Sequence, residues 1–219
     1  MQRWIVAIDG PAGAGKSTVA RLLADRLGYV YLDSGAMYRC VALLALRSGT
    51  EPEDSTALAE AAQITFDPAG IGEPQRVLLG GEDVSQAIRT PEVSQMASKV
   101  AAVPRVRKAL VKLQQALGAQ GGVVMEGRDI GTVVFPQAEL KIFLTASPEE
   151  RARRRHAELE ARGEVFDYAR VLAELKERDE RDETREASPL RAAPDALTFL
   201  TDGRTIEQIV VELAGKVEA

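Results

Sequence analysis

Apolar residues along the first fifty positions fall into short runs whose period changes. The stretch 3–9, RWIVAID, is nearly continuously apolar and ends at Gly10, the pattern of a parallel strand buried on both faces. In 16–28, KSTVARLLADRLG, apolar residues return at helical spacing and stop at Gly28, which predicts a helix with a glycine stop. YVYLD (29–33) predicts a second strand, and AMYRCVALLALRSG (36–49) a helix closed by Gly49. Strand–helix–strand–helix with tight turns predicts an α/β fold built on a parallel sheet.

The middle of the chain has a different rhythm. Residues 63–89 hold two short strand-like runs, near 64–67 and 76–79, broken by Gly and Pro. This predicts a small antiparallel insertion rather than another βα unit. Helices follow over about 91–101 and 104–118, with Pro104 suited to a first helical turn. GGVVMEGRDIG (121–131) returns to strand and turn, and LKIFLTA (140–146) predicts another buried strand. Ser147, Pro148 and Glu150 read as a capping box opening a helix. Two charged helices, about 148–161 and 167–183, are divided by Gly163. ALTFLTD (196–202) predicts a last strand, and 205–217 a last amphipathic helix. The expected architecture is a single domain. Its core is 1–62, 101–147 and 191–219, with excursions at about 63–100 and 148–190.

Composition narrows the function. The 219 residues are 45% hydrophobic and 28% charged, with a net charge of −5. That is enough apolar chain for a substantial core, and the acidic balance argues against binding nucleic acid by bulk charge. Cys40 is the only cysteine and His156 the only histidine, which excludes an internal disulfide and leaves a His/Cys zinc site without ligands. Cys40 lies in an apolar helical pattern and reads as a core residue. No apolar run approaches the ~20 residues of a membrane span, and Asp9 interrupts the first run too early for a signal peptide. A cytoplasmic, monomeric protein without membrane or nucleic-acid partners is expected.

GPAGAGKS, Gly10 to Ser17, matches G-x-x-x-x-G-K-[ST]. It follows a predicted strand and opens a helix, the context this phosphate-binding loop requires. Gly10, Pro11, Ala12, Gly13, Ala14, Gly15, Lys16, Ser17 and Thr18 are therefore the expected nucleotide-binding residues. Backbone N–H groups converge on phosphate there, Lys16 reaches the β- and γ-phosphates, and the Ser17 hydroxyl suits Mg²⁺. A GTPase needs an asparagine-containing guanine motif, and this chain has no asparagine. A mechanical ATPase usually carries an apolar strand ending in Asp–Glu, which is absent. A small-molecule kinase using ATP and Mg²⁺ remains.

A kinase needs an acceptor site. LDSGAMYR (32–39) and EGRDIG (126–131) both leave predicted strand ends, where ligands bind in parallel sheets. Asp33 can hold Mg²⁺ through water, and Ser34 with Arg39 can contact an anion. The run ERDERDETRE (177–186) has two readings. It is a solvated helix with its own i,i+4 ion pairs, or a set of arginines for phosphate. Arg178, Asp182 and Arg185 share one helical stripe, and Arg181 lies off it.

These segments carry a resemblance. IDGPAGAGKSTVA, YLDSGAMYR, GEDVSQAIRTPEVS, ASKVAAVPRVRKAL, EGRDIGTVVFP and LKERDERD occur in order, and the chain resembles the bacterial cytidylate kinases over nearly its whole length. The G-[YF]-P-R acceptor motif of adenylate-type relatives is missing. The resemblance implies transfer of phosphate from ATP to CMP or dCMP, giving ADP and CDP or dCDP. It makes 63–100 an acceptor-binding insertion and 148–190 a helical lid on a P-loop core. It implies CMP-binding roles for Ser34, Tyr38, Arg39, Ser98, Arg107, Arg128, Asp129, Arg178, Asp182 and Arg185. Arg39 and Arg128 would lie near the acceptor phosphate, Ser98, Arg107 and Asp129 near the base, and Arg178 and Asp182 near the sugar. Lys16, Arg128 and the lid arginines Arg151 and Arg155 would serve the transferring phosphoryl group. Glu126 stands where some relatives have Asp, and its role stays open. A P-loop kinase for UMP or another small acceptor, and a non-enzymatic nucleotide-responsive protein, are the alternatives.

Overall fold

The computed structural model describes residues 3–67, 75–161, 163 and 165–218. In chain order its strands and α-helices are β1 (Ile5–Asp9), α1 (Lys16–Leu27), β2 (Val30–Asp33), α2 (Ser34–Ser48), α3 (Thr56–Ala61), β3 (Ile64–Asp67), β4 (Arg76–Leu79) and β5 (Glu82–Asp83). Then come α4 (Pro91–Val100), α5 (Pro104–Gly118), β6 (Val123–Gly127), β7 (Leu140–Thr145), α6 (Pro148–Ala161), α7 (Tyr168–Thr184), β8 (Leu197–Leu200) and α8 (Ile206–Glu218). A single π-helical turn, Ile130–Val134, follows β6. The chain forms two compact units, one of Met1–Tyr31 with Gly121–Ala219 and one of Leu32–Gln120.

In the first unit the sheet order is β2-β6-β1-β7-β8, and β1 is parallel to both β6 and β7, as β7 is to β8. Asp9 is in register with Gly127 of β6 and Phe143 of β7, so the carboxyl ends of the central strands share one rim. Val6 and Ile8 of β1, Val124 of β6, and Ile142 and Leu144 of β7 pack with Val19 and Leu23 of α1 and Ile209 and Leu213 of α8. These side chains line one face of the sheet; Ala7 and its β6 partner Met125 point to the other face and are fully buried as well, so both faces of β1 are covered, as the continuous apolar run RWIVAID implies. Gly28 closes α1 in the left-handed conformation, φ 63°, with its N–H on Ala24 and Asp25 carbonyls. Helices α6 and α7 make a smaller core of Ala152, Leu159, Val171 and Leu175.

The second unit holds the antiparallel sheet β3-β4-β5, with Ile64 opposite Leu79 and Phe66 opposite Val77. The Gly- and Pro-rich break expected between β3 and β4, residues 68–74, lies outside the described residues. Ile64, Val77 and Leu79 share one core with Met37, Val41, Val93, Val106 and Leu110 of the surrounding helices. The unit takes in α2 and α5 because the small sheet cannot cover its apolar face without them. Thr90 caps α4 through its side chain, and Pro104 opens α5 as the sequence predicts. Helix α3, β5 and a 3₁₀ turn at Pro52–Asp54 are additions. Among the described residues no helix is long and apolar enough to cross a membrane.

The capping box at 147–150 is half realised. The Glu150 N–H donates to Ser147 Oγ at 3.3 Å. The Glu150 carboxylate does not return the contact; it accepts from Arg153 and Arg154, which hold its pKa down at about 2. The Ser147 N–H donates instead to Asp202.

Candidate active site

The phosphate loop runs from the end of β1 to the start of α1. A Cβ on Gly10 would lie 1.9 Å from the Leu144 carbonyl oxygen of β7, and φ there is 147°, so only glycine lets the chain leave β1 this close to its neighbour. Gly13 and Gly15 take φ values of 75° and 89°, turning the backbone into the N-terminus of α1. Lys16 is buried and its Nζ donates to the Pro11 carbonyl at 2.7 Å. Burial lowers its pKa to about 7, and the Arg128 and Arg178 guanidiniums push the same way, while Glu126 and Asp9 oppose them. Ser17 is exposed in the first turn of α1. A buried lysine, left-handed glycines leading into a helix N-terminus and an exposed hydroxyl suit this loop to polyphosphate.

The rim beside it is built by the end of β6. Glu126 is buried and accepts the Tyr31 hydroxyl at 2.6 Å. Arg128 donates from Nε to Asp182 on α7 at 2.9 Å. Burial alone would raise the Asp182 pKa, but Arg128, Arg178 and Arg185 outweigh it and hold the carboxyl below its usual range. Asp129 is buried next to Arg128. Asp9 accepts the backbone N–H groups of Ile130 and Gly131, both at 2.7 Å.

The charged run of α7 divides between the two readings. Arg181 pairs with Glu177 at 2.6 Å on the solvated face. Asp182 is buried with Arg128, and Arg185 approaches it at 3.6 Å. Arg185 stands just past the end of α7, as its C-cap, rather than within the helical stripe, and its Nε donates to the Ser188 carbonyl. Asp179 is not on that solvated face. It is buried and binds Arg151 at 2.6 Å. It continues the inward stripe of Val171 and Leu175 at i+4 steps, a signal present in the sequence.

Arg151 is 4% exposed. Its Nε donates to the Ala146 carbonyl at 3.0 Å, and its Nη1 to the Ala12 carbonyl of the phosphate loop at 3.2 Å and to Asp179. It thus ties the loop to α7. Arg155 lies apart from this network, paired with Glu158 at 3.2 Å. Arg154 donates to the side chain and carbonyl of Thr201.

In the second unit, Asp33 caps α2 by accepting the Ala36 N–H at 3.0 Å and lies 3.4 Å from Arg39. Ser34 and Tyr38 are buried on the first turns of α2. The Arg107 guanidinium of α5 lies 5.3 Å from the centre of the Tyr38 ring and donates to the Ala101 carbonyl. Ser98 is buried on α4. Residues 10–18, Arg128, Asp129, Arg178, Asp182 and Arg185 thus form one charged neighbourhood in the first unit, and Ser34, Tyr38, Arg39, Ser98 and Arg107 are carried by the second. The sequence reading gave no role to Asp9, Asp179 or the Tyr31–Glu126 contact.

Comparison with known proteins agrees with this geometry. The cytidylate kinase family model matches residues 6–219. A cytidylate kinase of Pelotomaculum thermopropionicum is 53% identical over 219 residues, covering 98% of this chain and 96% of that protein. A cytidylate kinase of Carboxydothermus hydrogenoformans is 54% identical over 211 residues, covering 95% and 94%. The crystal structure of an uncharacterized protein from Eubacterium ventriosum shares the fold, with a TM-score of 0.53 at 11% identity over 99% of this chain and 98% of that one. The chain belongs to the cytidylate kinase family.

Proposed function

We infer that this chain transfers the terminal phosphoryl group of ATP to the phosphate of CMP or dCMP. The observation that carries the reading is the adjacency, within one compact unit, of a phosphate-loop lysine and a group of arginines. Lys16 feels the charges of Arg128 and Arg178 directly. Two anionic groups brought together here would meet a field built to neutralise both.

The nucleophile is an oxygen of the acceptor phosphate. A phosphate monoester's second pKa is near ~6, so it is largely ionised at neutral pH and no general base is required. Lys16 neutralises charge on the transferring group, and the loop N–H groups orient it. Arg128 binds the acceptor phosphate while Asp182, braced by Arg128, accepts from the sugar hydroxyls with Arg178 and Arg185 beside it. The family resemblance, and no contact between the two units, gives Arg39 and Ser34 to the acceptor phosphate and Ser98 and Arg107 to the base. Arg155, surface-paired with Glu158, is the lid arginine with freedom to reach the phosphoryl group. Arg151 holds the loop through the Ala12 carbonyl.

Among the described residues no three His, Cys, Asp or Glu side chains cluster as a metal cage. A lone exposed hydroxyl at the loop suits Mg²⁺, which keeps waters and shares its shell with phosphates. Ser17 would hold it directly, and the ion would neutralise phosphate charge. A coupled ADP-release assay across CMP, dCMP, UMP, AMP, GMP and shikimate tests the reading. Preference for CMP or dCMP supports it, preference for another acceptor reassigns the kinase, and no acceptor-dependent turnover leaves a nucleotide-binding protein.

A further inference from the structure

Asp9 ends β1 and is 4% exposed. Its two carboxylate oxygens take separate donors: Oδ1 accepts Ile130 N–H and Oδ2 accepts Gly131 N–H, each at 2.7 Å. These N–H groups open the π-helical turn after β6, where an early N–H has no partner inside the turn. Arg128 and Asp129 immediately precede them. On its other side Asp9 is bonded to Gly10, which is wedged against the Leu144 carbonyl. One carboxylate therefore joins the root of the phosphate loop to the root of the turn that carries Arg128 and Asp129. Gly131 is confined as well. A Cβ there would lie 3.2 Å from Cγ and Cδ of Lys141 and 3.4 Å from Asp9 Oδ2. Lys141 cannot easily yield, because its Nζ is held by the Pro136 carbonyl and by Asp195.

We propose that Asp9 is a positioning residue for phosphoryl transfer, its paired hydrogen bonds setting the Arg128–Asp129 turn at a fixed distance from the phosphate loop. This deepens the kinase reading and rests on it. Only a carboxylate accepts two N–H bonds at this place without presenting a donor of its own. The choice has a thermodynamic cost. Burial raises the Asp9 pKa to about 6; the two backbone N–H groups resist, Asp129 raises it further and Lys16 lowers it. The charged groups around it are Asp129 on the turn, Lys16 on α1 and Lys141 on β7. Because the folded pKa lies above the ordinary 3.8, the fold favours the protonated form. That contribution to stability is complete below about 3.8 and is lost as pH rises through about 6. At neutral pH the buried charge is therefore retained for geometry rather than for stability.

The test compares wild type with Asp9→Asn and Gly131→Ala, measuring kcat and KM for CMP and for ATP from pH 5 to 8.5, with circular dichroism to confirm folding. In wild type, kcat/KM for CMP should fall below pH 6 with a slope approaching two, one proton for Asp9 and one for the CMP phosphate. Asp9→Asn should lower kcat/KM for CMP about 10- to 100-fold at pH 8, change KM for ATP less than about threefold, and reduce the acid slope to one. Gly131→Ala keeps the carboxylate but crowds the turn, so it should lose kcat while keeping the slope of two. Equal rises in KM for CMP and ATP would make Asp9 a support for the loop alone and overturn the proposal. So would an unchanged slope or an unimpaired Asp9→Asn. If that variant does not fold, Gly131→Ala at wild-type rates overturns it equally. Wild type without CMP turnover would remove the kinase reading itself, and this inference with it.

Discussion

Asp129 and Cys40 show how burial gives two residues opposite prospects. Cytosine presents an amine donor where uracil presents an acceptor, so a carboxylate reading that edge favours CMP. Asp129→Ala should therefore lower kcat/KM for CMP more than for UMP. Equal losses on both nucleotides would make Asp129 a brace for its neighbour Arg128. Burial drives the Cys40 thiol up to about 12, Asp33 adds to this, and Arg39 only partly offsets it. The native protein should leave a thiol-specific reagent unreacted at pH 8 and react once per chain when unfolded. Gln114 is 1% exposed, and neither its Oε1 nor its Nε2 has a hydrogen-bond partner among the described residues. Gln114→Leu should raise stability by about 1 kcal/mol or more in urea unfolding; a lower midpoint would mean the amide is satisfied. The phosphate loop was legible because its geometry is encoded in eight consecutive residues. The roles of Asp9 and Glu126 were not, because their partners lie 121 and 95 residues away.

Helix α7 carries the same lesson at the scale of an element. Spacing alone placed Arg178 and Asp182 on one face, but it could not say which acidic residues would be buried. Val171 and Leu175 fix the inward direction, and Asp179 and Asp182 extend it toward Arg151 and Arg128. Removing Asp179 strands the buried Arg151 guanidinium. Asp179→Ala should cost about 3–5 kcal/mol, measured by urea unfolding, whereas a loss below about 1 kcal/mol would show the pair to be dispensable. Asp182 has a lowered pKa. It contributes stability above its ordinary 3.8 that is lost as pH falls through the folded value. Asp182→Asn should flatten the acid side of the stability profile, and a profile unchanged from wild type would contradict the ion pair with Arg128. Glycine stops, Pro104 and the strand runs were readable because each is a local backbone requirement. Helix α3 is six residues and β5 two, too short for either to show a period.

The whole molecule is acidic, at −5, yet arginines collect beside its phosphate loop. Anion binding here is a property of a local field and not of net charge. This field serves transfer from ATP to a cytidine monophosphate. The most direct test is the rate of ADP formation with ATP and Mg²⁺ against CMP, dCMP, UMP, AMP, GMP and shikimate, in wild type and in folded Lys16→Ala. The highest kcat/KM is expected with CMP or dCMP, and a kcat lower by several orders of magnitude in the variant. A rate with CMP no greater than without acceptor, a higher kcat/KM for UMP or shikimate, or near-normal turnover by the variant would contradict it.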